Sequence, residues 1–419
     1  MDSLTPIIDD IAKKYSLTDK VEHLRRESFG RDPQPTPNRP RPTKYKPKSI
    51  MTPDIRRETH DRIHRYIQQV SPDHPPVPTY TIQERQPFPL TSLSALARWG
   101  KNPDPDFPFK LRDENGGHLG ITRDLDKQDP TFPEDTYKKE HADVQPLRDD
   151  LDNYSSAEDN METVRNDYLE ERELDMTRGP IYTTAELKHF LQCEDFYVIP
   201  IGSKDEGLNT DGTPKRRNVQ DGHAAGHTGH IHSHTNSKGE SPGVQDKRHA
   251  MAICKQDQTP IITLKFDISK AHRRTAVPPS DYKYLVVVLH DKHGRQEYWV
   301  NLVHTYGIAS AQHYWGRTAA LFDRILYYTF GDVLYAFVYV DDFSVLVRDT
   351  NPTHAMTRIL ILTETYGLPI AYHKIYIGHD ETWVGFITHL KTHQLDITED
   401  KKQSLTELAQ RITPGTAVP

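Results

Sequence analysis

The stretch LYAFVYVDDFSVLV, residues 334 to 347, places two acids between two apolar runs that are rich in β-branched and aromatic residues. Such runs predict two β-strands, and the short polar break between them predicts a β-hairpin. Asp is a favoured turn residue, so Asp341 and Asp342 can be explained as a turn alone. The neighbouring sequence decides whether they also carry chemistry.

Residues 261 to 400 predict an α+β fold with an antiparallel sheet. Strands are predicted at IITLKFDI (261–268), YLVVVLH (284–290), EYWVNLV (297–303), LYAFVYV (334–340), FSVLV (343–347) and near IYIG (375–378). Helices are predicted over 311–328 and 353–366, and WVGFITHL (383–390) forms a hairpin with HQLDI (393–397). The order β, helix, β-hairpin, helix, β is that of a split βαβ unit, a ferredoxin-like arrangement with helices on one face. We expect its other face to be open to a large ligand.

A third acid belongs to the same region. Asp267 ends the first strand in KFDISKAHRR, residues 265 to 274, and the split βαβ order places that strand end beside the hairpin. Converging acids repel one another unless cations lie between them, and two divalent ions ~3.5–4 Å apart are usual for in-line phosphoryl displacement. Because oxygen ligands favour Mg²⁺ or Mn²⁺, Asp267, Asp341 and Asp342 predict a site for two such ions.

Ordered motifs in this region resemble those of the reverse transcriptases, RNA-directed DNA polymerases, in particular of the LTR-retrotransposon type. The motifs are FDISKAHRR (266–274), TYGIASAQHYW (305–315), YVDD (339–342), YGLPIAYHK (366–374) and WVGF (383–386), with KRRNVQDG (215–222) similar to a fingers segment. The resemblance covers roughly residues 152 to 400. It implies a right-hand polymerase palm with fingers, which transfers nucleotides from dNTPs to a primer on an RNA or DNA template.

The resemblance also implies roles for single residues. Asp267 and Asp341 would hold the two metal ions, with Asp342 nearby and the Ile268 carbonyl as a further ligand. Lys374 would give a proton or positive charge to the pyrophosphate, or it is a solvated loop lysine.

The nucleotide would meet four further residues. Arg217 would bind its phosphates, or it belongs to a basic turn with Lys215. Tyr306 and Gly307 would shape the pocket, although Gly307 also suits an ordinary strand-to-helix turn. His272 stands where the family has Tyr or Phe beneath the deoxyribose, so discrimination between dNTPs and NTPs is left open.

Composition divides the chain unevenly. It has 419 residues, a formal charge of −7, 35% hydrophobic residues and 31 prolines. We predict a low-order extension with short helices over 1–150, a fingers-like region over 151–260, the palm over 261–400 and a truncated thumb start over 401–419. Within the fingers, Ser155 with Glu158 and Thr183 with Glu186 have the spacing of helix caps. Trp315, in the helix over 311–328, is expected to pack in the core.

Two segments allow more than one interpretation. The arm at 32–49 combines prolines with Arg39, Arg41, Lys44, Lys46 and Lys48; it is a solvated linker, a phosphate contact or a nuclear-import signal. The tract at 221–238 contains His223, His227, His230, His232 and His234. It is a flexible loop or a Zn²⁺ or Ni²⁺ site.

Other features limit the class of protein. No apolar run approaches the ~20 residues of a membrane span, and Cys193 and Cys254 are too few for a disulfide framework. We therefore expect an intracellular protein, cytoplasmic or nuclear, of open oligomeric state. The alternatives to a polymerase are a retroelement-derived nucleic-acid-binding protein without turnover and a His-rich metal-handling protein.

Overall fold

A computed structural model of the chain describes residues 4–28, 49–71, 76, 78–112, 116–125, 145–208, 214–231 and 241–411. The helices are α1 (Thr5–Lys14), α2 (Leu17–Ser28), α3 (Pro53–Val70), α4 (Leu90–Trp99), α5 (Phe107–Lys110), α6 (Ser155–Glu158), α7 (Met161–Glu173), α8 (Thr184–Leu191), α9 (His227–His230), α10 (Val244–Gln256), α11 (Ala309–Phe330), α12 (Pro352–Thr365) and α13 (Glu399–Arg411). The strands are β1 (Thr177–Ile181), β2 (Ile201–Leu208), β3 (Pro214–Gln220), β4 (Ile262–Asp267), β5 (Val286–His290), β6 (Gln296–Asn301), β7 (Leu334–Tyr339), β8 (Asp342–Val347), β9 (Tyr376–Gly378), β10 (Asp380–Trp383), β11 (Phe386–His389) and β12 (Gln394–Ile397).

Four strands form the palm sheet in the order β7–β8–β4–β9, and each neighbouring pair is antiparallel. Along the chain the order is β4, α11, β7, β8, α12, β9, which is the split βαβ that the sequence predicts. Alternate residues of β4 and β8 enter the core with α11 and α12, and the rings of Phe266 and Phe343 stack there at 5.0 Å. The predicted α+β class and antiparallel sheet are confirmed.

The opposite face of the palm sheet is only partly open, which corrects the expectation of a free face. Met251 of α10 and Trp383 of β10 pack there against Phe337 and Leu346. The helix α10 and the hairpin of β10 and β11 cover this end of the sheet, because burial of its apolar side chains is favourable. The accessible part of the face lies at the end of β4.

The strands β5 and β6 belong to a separate sheet with β1, in the order β1–β6–β5. Their residues bury both faces of that sheet: Val287 and Trp299 pack with α7, whereas Val286 and Val300 pack with α8. Residues 286–301, predicted as part of the palm, therefore lie outside the palm sheet, in a separate sheet between two helices. The strands β2 and β3 pair with each other in a separate two-stranded sheet.

The N-terminal helices share the core of the palm. Ile8 of α1, Leu24 of α2 and Ile63 of α3 are buried in the same cluster as Ile359 of α12. The prediction of a low-order extension therefore misses this packing in residues 4–28 and 49–71. Most of the basic arm, residues 32–48, lies outside the described residues.

The two predicted helix caps have different outcomes. The Thr183 hydroxyl accepts from the Glu186 N–H at 3.2 Å, and the Glu186 carboxylate accepts from the Thr183 N–H at 3.1 Å, so this capping box is confirmed. The Ser155 cap is wrong, because Ser155 lies inside α6 and Tyr154 precedes that helix. The Glu158 carboxylate, which the predicted cap required, instead accepts a hydrogen bond from the Asn153 side chain at 3.0 Å.

Across the described part of the chain, we find no helix that combines the length and the hydrophobicity required to span a bilayer.

Candidate active site

Three carboxylates meet at the accessible end of the palm sheet. Asp267, the last residue of β4, is the register partner of Asp342, the first residue of β8. Asp341 lies in the turn before Asp342, and its carbonyl accepts from the N–H of the buried Ile268 at 3.1 Å. Two strands that are distant in sequence thus bring the three predicted acids together.

The turn that carries Asp341 is held from behind by α11. Val340 has a φ of +58°, a left-handed conformation that is unfavourable for a β-branched residue. The indole N–H of Trp315 donates to the Val340 carbonyl at 2.6 Å and so secures this turn. Trp315 is buried as expected, but its role in positioning this turn was not predicted from the sequence. Its place on the face of α11 that meets the sheet is the sequence feature that could have indicated this role.

Burial and repulsion by neighbouring acids make Asp341 and Asp342 unfavourable as free anions. Burial raises the pKa of Asp341, and the negative charge of Asp267 raises it further. Burial also raises the pKa of Asp342, although the ammonium of Lys265 opposes this shift. Carboxylate oxygens are the donors that Mg²⁺ and Mn²⁺ prefer, and a cation between these acids would offset their repulsion.

Two lysines balance part of this charge. The ammonium of Lys374 contacts the Asp267 carboxylate, and Lys265 Nζ lies 3.1 Å from Asp342 Oδ2. Within the described ranges, no group of three or more His, Cys, Asp or Glu side chains is arranged to hold a metal ion. Asp267 and Asp342 thus each stand in an ion pair with a lysine. Lys265 was missed by the sequence reasoning, although its place two residues before Asp267 puts it on the same face of β4.

Gly307 is required for a close approach between fingers and palm. Its φ is +93°, and a Cβ at this position would lie 1.9 Å from the Gln220 carbonyl oxygen of β3. The Gln220 N–H donates to the Tyr306 carbonyl at 3.2 Å, which fixes the same contact. A side chain would push the fingers hairpin away, so the glycine does more here than permit a turn.

Arg217 and Tyr306 form one wall beside the carboxylates. The guanidinium carbon of Arg217 lies 5.6 Å from the Tyr306 ring centroid. Its Nε also lies 2.7 Å from Glu206 Oε1, and Lys215 Nζ lies 2.6 Å from the other oxygen of that carboxylate. Burial raises the pKa of Glu206, but the two cations outweigh this and lower it. Arg217 is thus held by an anion that a phosphate could replace.

His272 joins the same wall. Its Nε2 lies 2.6 Å from Gln312 Oε1, and its ring centroid is 5.6 Å from that of Tyr306. Burial raises the pKa of the Tyr306 hydroxyl, so this ring is a neutral surface at ordinary pH. The predicted nucleotide residues Arg217, His272, Tyr306 and Gly307 therefore lie together.

The described part of the histidine tract is packed locally. His227 is buried and its Nε2 lies 2.9 Å from the Tyr284 carbonyl oxygen, while His230 Nε2 lies 3.0 Å from the Gln145 carbonyl oxygen. Burial lowers the pKa of His227 to about 4, so it stays neutral at ordinary pH. His232 and His234 lie outside the described residues, and the choice between a loop and a metal site for the tract stays open.

Solved structures similar to this chain include reverse transcriptases and a telomerase. They include a foamy viral protease-reverse transcriptase in complex with an RNA/DNA hybrid (14% identity, 64% of this chain and 30% of that chain, TM-score 0.42). A foamy viral protease-reverse transcriptase dRH with double-stranded DNA matches at 16% identity over 83% of this chain and 52% of that chain, with a TM-score of 0.40. Apo telomerase from Candida tropicalis, truncated from its C-terminal domain, matches at 12% identity over 37% of this chain and 39% of that chain, with a TM-score of 0.28.

The chain spans between 30% and 52% of the length of these three structures. No protein-family model matches the sequence, and no curated protein is similar to it. At these identities the likeness is one of fold alone.

Proposed function

We propose that this chain is an RNA-directed DNA polymerase that transfers nucleotides from dNTPs to the 3′-hydroxyl of a primer. One observation carries the proposal: Asp267 and Asp342 face each other across two paired strands, with Asp341 in the adjoining turn. A hairpin turn accounts for two adjacent acids, but it gives no reason for a third acid from another strand. Three acids that repel one another are expected where cations must bind.

The carboxylates would hold the metal ions. Asp267 and Asp341 would bind two Mg²⁺ or Mn²⁺ ions, with Asp342 and the Ile268 carbonyl as additional oxygen ligands. Such ions, when bound, would lower the pKa of the primer hydroxyl and stabilise the charge that develops on the leaving pyrophosphate. Asp267 would have to release Lys374 to take up a metal ion, because its carboxylate contacts that ammonium.

The neighbouring side chains would bind and orient the nucleotide. Lys374, once released from Asp267, would give a proton or a positive charge to the pyrophosphate. Arg217 would exchange the Glu206 carboxylate for the triphosphate, since a guanidinium binds phosphate oxygens in pairs. His272 and Tyr306 would line the sugar side of the pocket, and Gly307 would keep β3 close enough to close it.

The proposed partners are a primer with an RNA or DNA template, and dNTPs. The foamy viral structures hold an RNA/DNA hybrid or double-stranded DNA, and we propose the same class of partner for this chain.

Primer extension on an RNA template with Mg²⁺ or Mn²⁺ tests the proposal. We expect Asp341→Asn to lower the rate by about 10³-fold, because loss of a metal ligand removes several kcal/mol of charge stabilisation. Asp332→Asn is the matched control, since Asp332 is an exposed acid in the turn before β7. The proposal fails if the wild-type chain binds primer and template without extending them, or if Asp341→Asn extends as well as the wild type.

A nucleic-acid-binding protein without turnover is the second candidate. It is favoured by the ion pairs of Lys374 with Asp267 and of Lys265 with Asp342, which balance the acids without a metal ion. Filter binding of an RNA template, measured beside extension, separates the two functions. Binding without dNTP-dependent extension supports this second candidate.

A further inference from the structure

The hairpin of β10 and β11 lies over the palm face at the side of the carboxylates. Its strand β10 pairs with β11 from Asp380 to Trp383, and β11 pairs with β12. The strand β10 follows β9 of the palm sheet after the single residue His379, but it belongs to the separate sheet β10–β11–β12. Beyond this short connection, side chains hold the hairpin against the palm, through the packing of Trp383 on Phe337 and through polar contacts.

One side-chain contact fixes the buried half of β10. Lys247 of α10 is fully buried, and its Nζ lies 2.5 Å from Glu381 Oε2 and 2.7 Å from Ser344 Oγ. Thr263 of β4 donates to the same Glu381 oxygen at 3.0 Å. These bonds anchor Glu381 to both α10 and the palm sheet.

A second contact fixes the outer half and reaches the carboxylates. Lys265 of β4 donates from Nζ to the Thr382 carbonyl at 3.0 Å, and the same Nζ lies 3.1 Å from Asp342 Oδ2. An ammonium has three donors, so one lysine can hold both partners at once. Its side chain is 24% exposed, which limits competition from water.

We propose that Lys265 is a positioning residue that holds the β10–β11 hairpin at a fixed distance from the catalytic carboxylates, with Asp342 as its anchor. Asp342 is thereby committed to Lys265 and the hairpin, and Asp267 and Asp341 are left as the principal metal ligands. The hairpin would present the primer end to these two acids. This last step rests on the proposed polymerase function, whereas the contact between Lys265 and the hairpin does not.

Hydrogen exchange of the full chain tests the contact without any need for activity. Lys265→Met keeps the apolar stem of the side chain and removes both polar contacts. We expect the amides of β10 and β11 to exchange about tenfold faster, and those of β5 and β6 to be unchanged. Lys265→Arg, which can reach both partners, should restore slow exchange, and Lys292→Met, at an exposed turn, is the matched control.

Steady-state primer extension tests the consequence for the site. We expect Lys265→Met to raise the KM for primer and template about tenfold, with the KM for dNTP and the half-saturating Mg²⁺ concentration changed less than twofold. Asp342→Asn should also raise this KM, and the double variant should raise it no further than Asp342→Asn alone, because both residues act through one contact.

Two outcomes overturn the proposal. Unchanged exchange in β10 and β11 with Lys265→Met and with Asp342→Asn would show that neither residue holds the hairpin. A lower half-saturating Mg²⁺ concentration in Lys265→Met, with an unchanged KM for primer and template, would show that the lysine only masks Asp342 and does not position the hairpin. Absence of extension by the wild type would refute the polymerase function alone, and the exchange result would still decide the role of Lys265.

Discussion

The buried ion pair of Lys247 and Glu381 predicts a large and non-additive loss of stability. Both side chains are almost wholly enclosed, at 1% and 0% exposure. Lys247→Met leaves the Glu381 carboxylate buried with only the hydroxyls of Ser344 and Thr263 as donors. We expect it to lower the free energy of unfolding by about 3–5 kcal/mol, because an uncompensated buried charge is left behind.

Replacing both charges should cost far less than breaking the pair. The double variant Lys247→Met with Glu381→Leu leaves no charge at this buried contact. The two new side chains would lie beside the apolar rings of Trp383 and Phe337. The remaining cost is that of two hydroxyl groups, Ser344 and Thr263, which lose an acceptor at about 1 kcal/mol each. The double variant should therefore be about 2 kcal/mol less stable than the wild type, and more stable than Lys247→Met alone.

Denaturant unfolding followed by tryptophan fluorescence and circular dichroism measures these differences. The Trp383 ring lies 4.6 Å from Lys247 Nζ, so its emission reports on this cluster. Lys255→Met, on the exposed side of the same helix, should change stability by less than about 0.5 kcal/mol. A loss below 1 kcal/mol in Lys247→Met, or equal losses in the single and double variants, would refute the reasoning.

Three further variants test other parts of the fold. Asp341→Asn should be more stable than the wild type at pH 7, because burial and Asp267 raise the folded-state pKa of this acid. The difference in stability should appear as the pH rises above about 4 and vanish below it. Denaturant midpoints measured across pH check this. Gly307→Ala should lower stability by about 2 kcal/mol or more and abolish extension, because its Cβ would collide with the Gln220 carbonyl. Ile63→Ala should cost about 2–5 kcal/mol in thermal or denaturant unfolding, because Ile63 is fully buried against the palm.

Each of these variants has a matched control. Gly294→Ala also places a side chain at a positive φ, but no atom lies within 4 Å of its Cβ, so only the conformational cost remains. Asp332→Asn should leave the pH profile of stability unchanged. Lys13→Ala, on the exposed side of α1, should change stability little. If Ile63→Ala were as mild as Lys13→Ala, α3 would not be part of the palm core.

The palm could be predicted from sequence because its signals are local. Its strands are short apolar runs, and the order of strands and helices allowed one well-known arrangement, so Asp267 could be placed beside Asp341 and Asp342. The separate pairing of β5 and β6 with β1 could not, because residues 177–181 carry Gly179 and Pro180 and resemble a loop. The partner of a strand depends on what packs on its two faces, and that information is distant in sequence.

Residues that act through contacts were the harder part of the site. Lys265 and Trp315 have no motif of their own, and each gains its role from one bond, to Asp342 or to the Val340 carbonyl. The covering of the palm by α10 was missed because Lys247 looks like a surface residue until Glu381 is placed beside it. The packing of α1 on α12 was missed because the polar, proline-rich arm at 32–49 made the N-terminal region resemble an unpacked extension.

The shared core of the N-terminal helices and the palm has a consequence for biosynthesis. Asp9 of α1 accepts from Arg358 of α12, a partner 349 residues later in the chain. At about 5–20 residues per second, the ribosome would need roughly 17 to 70 s to deliver that partner. During this interval the apolar sides of α1, α2 and α3 have no palm to cover them. We therefore expect these helices to pair with one another, or to be bound by chaperones, until α12 emerges.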